Sequence, residues 1–143
     1  MEKKKKIAVS IAAGIISLPF ILITLYIAFQ IIGAIVTHAA GGIQTNKLTD
    51  YAADHGFEVL HSETFVGNSG NGNHVDLISS VYVRADRSVD DAREAVKPFD
   101  ERTVVWEPKE ESLKEIGITP PEEGVLLLRL FRAAPFADNI EGH

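Results

Sequence analysis

Thirty consecutive residues, Ile7 to Val36, contain no charged side chain, and four lysines stand immediately before them. An apolar stretch of about 18 residues or more predicts a membrane-spanning helix. As one helix, the segment would extend roughly 45 Å at 1.5 Å per residue, against a hydrocarbon core of about 30 Å. The run is therefore long enough to cross a bilayer once and too short to cross it twice.

A cleaved secretory signal peptide is the alternative interpretation of this segment. Signal peptides also begin with basic residues, but their apolar core covers only about 7–15 residues before a small-residue cleavage site. The run in this chain is about twice that length, which favours a retained anchor. Thr37 and Ala39 still provide small residues for cleavage after Ala39, so this alternative stays open.

The basic residues predict how the helix is oriented. Lysine and arginine side chains that flank a membrane span remain on the cytoplasmic side. The N-terminal flank holds four lysines, whereas the other flank offers only Lys47 before the domain begins. The N terminus is therefore predicted to be cytoplasmic. The residues predicted to anchor the chain at lipid headgroups or at the interface are Lys3, Lys4, Lys5, Lys6 and Tyr26.

These signals divide the chain into four predicted segments of a cell-membrane protein. They are a cytoplasmic basic tail (1–6), a transmembrane helix (7–36), a linker (37–46) and an extracytoplasmic domain (47–143). The last ten apolar residues, Ile27 to Val36, exceed what the bilayer requires. We expect tilt or a neighbouring helix to cover them. A second copy of the chain is one candidate, since Ser10 and Gly14 have the spacing that lets helices approach closely.

The composition of the C-terminal segment excludes some classes of binding partner. From Lys47 onward there are 19 acidic and 10 basic side chains, a net charge near −9. Such a domain repels nucleic acid and anionic lipid, so neither is a predicted partner of it. The chain has no cysteine, which excludes disulfides, thiolate metal sites and cysteine nucleophiles. No cofactor is predicted. The lack of cysteines and of glycosylation sequons fits a bacterial envelope protein.

The residue pattern of the domain predicts an α+β fold. Its elements follow the order helix, strand, strand, helix, strand, helix, strand, which predicts about four strands with helices packed on one face. Gly41-Gly42 is expected to separate the membrane helix from a short helix at Asn46 to His55. In the first strand, His61 and Glu63 interrupt an apolar side that includes Val59 and Phe65.

Two local sequence patterns in the second half of the chain predict the start of a helix and a central strand. Ser88 is a predicted helix N-cap, because Asp90 and Asp91 follow it at positions that favour acidic side chains. Val125 to Arg132 is an almost continuous apolar run, which predicts a central strand that is covered on both faces.

Three polar residues are the candidates for chemistry. His74 and Asp76 are two residues apart on a predicted strand and therefore share a face, and His61 is expected opposite them on a hairpin. Such a group can bind zinc or perform acid–base chemistry. Its spacing matches no metal signature, however, and solvent-facing polar side chains are the more common explanation. We assign no catalytic or metal-binding residue.

Three hypotheses for function follow. The leading one is a single-pass membrane protein whose acidic extracytoplasmic domain binds a partner in the cell envelope without catalysis. The alternative is a membrane-anchored metal-dependent or hydrolytic enzyme that uses His61, His74 and Asp76. A further alternative is a subunit of a membrane complex that acts mainly through its transmembrane helix.

Overall fold

The computed structural model describes residues 2–70, 72, 74–118 and 124–136. Within this range, six side chains near the N terminus are not described, namely those of Glu2, Lys4, Ala8, Val9, Ile11 and Ala12. The elements are α1 (Glu2–Asp54), β1 (Glu58–Gly67), β2 (Asp76–Arg84), α2 (Val89–Val96), β3 (Val104–Trp106), α3 (Glu110–Glu115) and β4 (Val125–Ala133). The strands form an antiparallel sheet in the order β1-β2-β4-β3, so the α+β prediction is confirmed.

Helix α1 is longer than the sequence pattern predicts. It continues without a break through residues 37–46, the expected linker, and through the expected short helix at Asn46 to His55. The physical reason is packing on the sheet, which outweighs the cost of about 1 kcal/mol for each interior glycine. The stripe of α1 that is buried against the sheet comprises Thr37, Gly41, Gln44, Thr45, Leu48 and Ala52.

The sheet has two faces, and helices cover part of each. On the inner face, α1 and α2 pack over one large cluster whose strand residues are Val81, Val83, Val105, Leu126, Leu128 and Leu130. On the outer face, Leu113 of α3 packs against Tyr82 and Leu127, which alternate with the inner residues along β2 and β4. The prediction of helices on one face is therefore corrected: α3 lies on the opposite face because its apolar side chains cover this second cluster.

A β-bulge explains the interrupted pattern of β1. The pairing of β1 with β2 shifts between Val59 and His61, so Leu60 is an extra residue that reverses the alternation after it. Val59 therefore pairs with Val83 on the inner face. His61, Glu63 and Phe65 instead lie on the outer face, opposite β2 residues of even number.

The apolar half of α1 divides at Phe29. The Phe29 ring meets the Phe136 ring edge-on, with centroids 5.9 Å apart, and Gly33 in the next turn is buried. Every described side chain before Phe29 is exposed. The uncovered stretch from Ile7 to Ala28 is roughly 33 Å long at 1.5 Å per residue, close to the hydrocarbon thickness of about 30 Å. By length and composition, α1 is able to cross a membrane, a property that a signal sequence shares.

Asp100 connects the segment after α2 to the end of β4. Its carboxylate, only 7% exposed, accepts hydrogen bonds from Arg102 at 2.9 Å and from Arg132 at 2.6 Å. The Arg102 guanidinium is the largest influence and Arg132 adds to it. Together they outweigh partial burial and hold the pKa of Asp100 well below its usual range.

Acidification is expected to remove the stability that Asp100 provides. Because its folded pKa lies below the unfolded value of about 3.9, the contribution is complete above that value and is lost as the pH falls toward the folded pKa. Between about pH 5 and pH 3, Asp100→Asn should therefore lose less stability than the wild type, in thermal unfolding of the full chain in detergent. Asp90→Asn, at an exposed ion pair with Arg93, should keep the wild-type pH dependence. Identical acid loss in Asp100→Asn and wild type would contradict this prediction.

Candidate functional site

The structure brings two of the three candidate residues together. His74 Nε2 lies 3.3 Å from Asp76 Oδ1 at the base of the β1–β2 loop. His61 pairs with Tyr82, whereas Asp76 pairs with Gly67, so His61 stands six positions away along β1. At 3.3 Å per residue this is a separation of about 20 Å. Within the described ranges, no three His, Asp or Glu residues are grouped in a way that could hold a metal ion.

Ser69, Asp76 and His74 are in contact, but not in the order that activates a serine nucleophile. The Ser69 hydroxyl donates to Asp76 Oδ2, and His74 lies beside Oδ1 of the same carboxylate. A serine nucleophile needs the imidazole next to its hydroxyl, with the carboxylate behind the imidazole. Here the carboxylate stands between the other two groups, so His74 cannot take the proton of Ser69. The three side chains instead tie the two ends of the hairpin loop together.

A groove crosses the part of the outer face that α3 leaves open. Its volume is ≈ 400 Å³, and it lies over β1, β2 and β4. The residues that line it are Glu63, Thr64, Phe65, Ile78, Ser80 and Arg129. The outer-face groove, as we call it, is thus formed by side chains from three neighbouring strands.

The first feature is an apolar row that begins in this groove, at Phe65 and Ile78, and continues beyond its lining to Phe131. Ile78 in β2 pairs with Phe65 in β1 on one side and with Phe131 in β4 on the other. Neighbouring strands are about 4.8 Å apart, so the three side chains form a continuous strip across the sheet. Phe65 is 46% exposed and Phe131 is 41% exposed. The apolar row is therefore open to solvent on the side away from α1.

The second feature is a charged row two residues further along the strands. Glu63 pairs with Ser80, and Ser80 pairs with Arg129. Arg129 Nε donates to Ser80 Oγ at 3.0 Å, and its guanidinium lies 5.2 Å from the Trp106 ring centroid. In the described part of the chain, neither Glu63 nor Arg129 has an ion-pair partner. Trp106 and Ser80 thus hold the Arg129 guanidinium in place at the side of the groove opposite Glu63.

The residues predicted as a membrane anchor lie far from this groove. The side chains of Lys3, Lys5 and Lys6 are exposed at the start of α1, and that of Lys4 is outside the described set. Tyr26 is 62% exposed, one turn before the contact between α1 and Phe136. The described members of this group, Lys3, Lys5, Lys6 and Tyr26, are therefore available for lipid contact.

The sequence pattern missed the groove for two reasons. The bulge moves Phe65 away from the face that Val59 occupies, and no residue type in β1 marks that reversal. Phe131 was predicted to lie in a strand that is covered on both faces, yet α3 covers only the end of the outer face near Leu127.

Comparison with known proteins does not assign the chain to a family. No protein-family profile, curated protein or solved structure matches the chain. The features of the chain that bear on function are therefore the outer-face groove and helix α1.

Proposed function

We propose that this chain is a single-pass membrane protein whose extracytoplasmic domain binds a polypeptide segment of an envelope protein and performs no catalysis. The single observation that carries the proposal is the outer-face groove, where an open apolar row lies beside Glu63 and Arg129, two charged side chains without an ion pair among the described residues. Exposed apolar surface next to fixed polar groups is typical of protein-binding sites.

The membrane placement is supported by the length of the uncovered part of α1. The stretch from Ile7 to Ala28 matches the hydrocarbon thickness, so the polar domain would stand directly on the membrane surface. The rest of the apolar run, Phe29 to Val36, would then lie beside the domain. The lysines before Ile7 favour a cytoplasmic N terminus, with the domain on the opposite side.

The chemistry of the groove defines the class of partner. The apolar row would accept apolar side chains of a partner segment, and aromatic rings supply large contact areas for this purpose. Arg129 presents a planar guanidinium that suits a carboxylate, and Glu63 suits a basic side chain. The net charge near −9 of the domain favours a partner that is basic overall. We therefore expect a segment that combines apolar side chains with an acidic and a basic residue.

Site-specific photocrosslinking in the native membrane tests this proposal. A benzophenone amino acid in place of Phe131 should form a discrete adduct with one envelope protein. The same probe at Lys97, an exposed site directly after α2 and away from the groove, should not form it. Arg129→Glu, introduced together with the probe at Phe131, should reduce the adduct on the order of tenfold. The new carboxylate would repel the acidic partner side chain that Arg129 is expected to bind. Equal adducts at Phe131 and Lys97, or no protein adduct at Phe131, would overturn the proposal.

The enzyme alternative gains nothing from the geometry. His61 stands about 20 Å along β1 from His74 and Asp76, by the strand rise. The remaining pair is occupied with Ser69 in the hairpin loop. The pair offers neither three metal ligands nor a histidine next to a nucleophile.

A further inference from the structure

Helix α1 carries an exposed apolar face beside the domain as well as before it. Five isoleucines between positions 27 and 43 are each more than half exposed, from 51% to 64%: Ile27, Ile31, Ile32, Ile35 and Ile43. Over the same stretch, Gly33, Thr37 and Gly41 are buried toward the domain. The domain therefore covers one side of this segment and leaves the other side apolar and open.

Lipid cannot cover this whole face. Gly41 is level with β1, since a Cβ on Gly41 would lie 2.8 Å from a methyl group of Val66 and 2.9 Å from one of Thr64. The polar sheet at that level has to be outside the hydrocarbon. Ile43 and the turns just before it therefore lie at the level of the domain, where an exposed apolar strip faces water unless another protein surface covers it.

The residues opposite the sheet have the spacing of a coiled-coil seam. They alternate at intervals of four and three residues and point about 160° away from the buried stripe, at 100° per residue. The members of this stripe, the α1 seam, are Ala28, Ile32, Ile35, Ala39, Gly42 and Asn46. Ala28, Ala39 and Gly42 are small enough to let a second helix approach closely. Asn46 ends the seam with a polar group, and an asparagine at such a position favours one register.

We propose that the α1 seam pairs with the α1 seam of a second copy of this chain in a parallel, in-register dimer. Two copies inserted in one membrane share the same orientation, so their seams stand at the same height. No charged residue lies between Lys6 and Lys47, so no like charges oppose each other across the seam. Because the sheet packs on the opposite side of α1, the two domains would face away from each other without a clash.

Disulfide crosslinking tests the pairing, since the natural chain has no cysteine. Single-cysteine variants of the full chain, Ile35→Cys on the seam and Asn46→Cys at its end, are oxidised in native membranes. Lys47→Cys is the matched control: it is exposed at the same height as Asn46 but rotated by about 100° around the helix. Both seam variants should form a dimer of twice the chain mass at least about tenfold more than Lys47→Cys, because pairing raises the local concentration of the facing cysteines.

Three outcomes would overturn the dimer. They are equal crosslinking at Asn46→Cys and Lys47→Cys, monomer at every position, and an Ile35→Cys adduct with a different protein. The inference rests on the membrane placement proposed above. Cells that express the same variants are therefore also fractionated, to measure how much of the chain is in the membrane. A chain absent from the membrane fraction refutes the placement, whereas a membrane-bound monomer refutes only the pairing. Fluorescence of Trp106, the only tryptophan, shows that each variant keeps its fold.

Discussion

Replacing Gln44 by glutamate is expected to destabilise the fold on the order of 3–5 kcal/mol near neutral pH. Gln44 is 6% exposed between α1 and the sheet. Its Nε2 donates to Ser79 Oγ at 3.0 Å and to the Leu130 carbonyl at 3.3 Å. A carboxylate cannot donate, so Gln44→Glu would place a buried negative charge against the Leu130 carbonyl oxygen.

The same variant is expected to recover stability on acidification. Burial raises the pKa of the new carboxyl in the folded state, so the penalty is present above that folded pKa and disappears as the pH falls toward the unfolded value of about 4.3. Protonation also restores a donor for the Leu130 carbonyl. The wild type should instead lose stability in acid through Asp100, so the two pH trends have opposite signs.

Thermal unfolding of the full chain in detergent, followed by Trp106 fluorescence, measures this effect. Gln44→Met is the matched control, because it keeps the length of the side chain without a charge. Its deficit should be smaller, about 1–3 kcal/mol for a lost buried hydrogen-bonding group, and independent of pH. If Gln44→Glu and Gln44→Met lost the same stability at pH 8 and at pH 5, the buried-charge explanation would be wrong.

Gly41→Ala is expected to cost about 1–3 kcal/mol, although alanine is the better helix former. The added Cβ would lie 2.8 Å from Val66 Cγ2 and 2.9 Å from Thr64 Cγ2, well inside van der Waals contact. Both neighbours are β-branched, so neither can turn its methyl group away without leaving its preferred rotamer. Helix α1 and β1 would have to move apart, which opens the packing around them.

Gly42→Ala is the matched control for that prediction. A Cβ on Gly42 meets no atom within 4 Å, so the substitution should stabilise α1 by about 0.5–1 kcal/mol. Both variants are compared by denaturant unfolding of the full chain, diluted in detergent so that pairing between chains makes no contribution. A Gly41→Ala variant as stable as Gly42→Ala would show that the close approach of α1 to β1 is relaxed at little cost.

The parts of the fold that were predicted correctly depend on short-range signals. Ser88 caps α2 as expected, since its Oγ accepts from the Asp91 backbone N–H at 3.2 Å. The apolar run from Val125 became β4, which lies between β2 and β3 in the sheet. In both cases, the residues that determine the outcome are within a few positions of one another.

The features that were missed depend on contacts between distant parts of the chain. Gly41-Gly42 is a plausible helix stop until the sheet is present to pack against Gly41, and β1 lies more than fifteen residues further on. Alternation places His61 and Asp76 on strand faces, but it carries no information about their heights along the sheet. The groove required both the position of the bulge and the area that α3 covers, and neither can be read from the residue types of β1.

Continuity of α1 has a mechanical consequence. Helix α1 is 53 residues long, and its one interior proline, Pro19, lies in the apolar half. Proline removes a backbone hydrogen bond, so only the part of α1 after Pro19 is expected to behave as one stiff helix up to the sheet. Since the sheet packs directly on this part of α1, a rotation of the helix after Pro19 about its own axis would rotate the outer-face groove through the same angle. The direction in which the groove points would then be set by the rotation of the exposed apolar segment that precedes the domain.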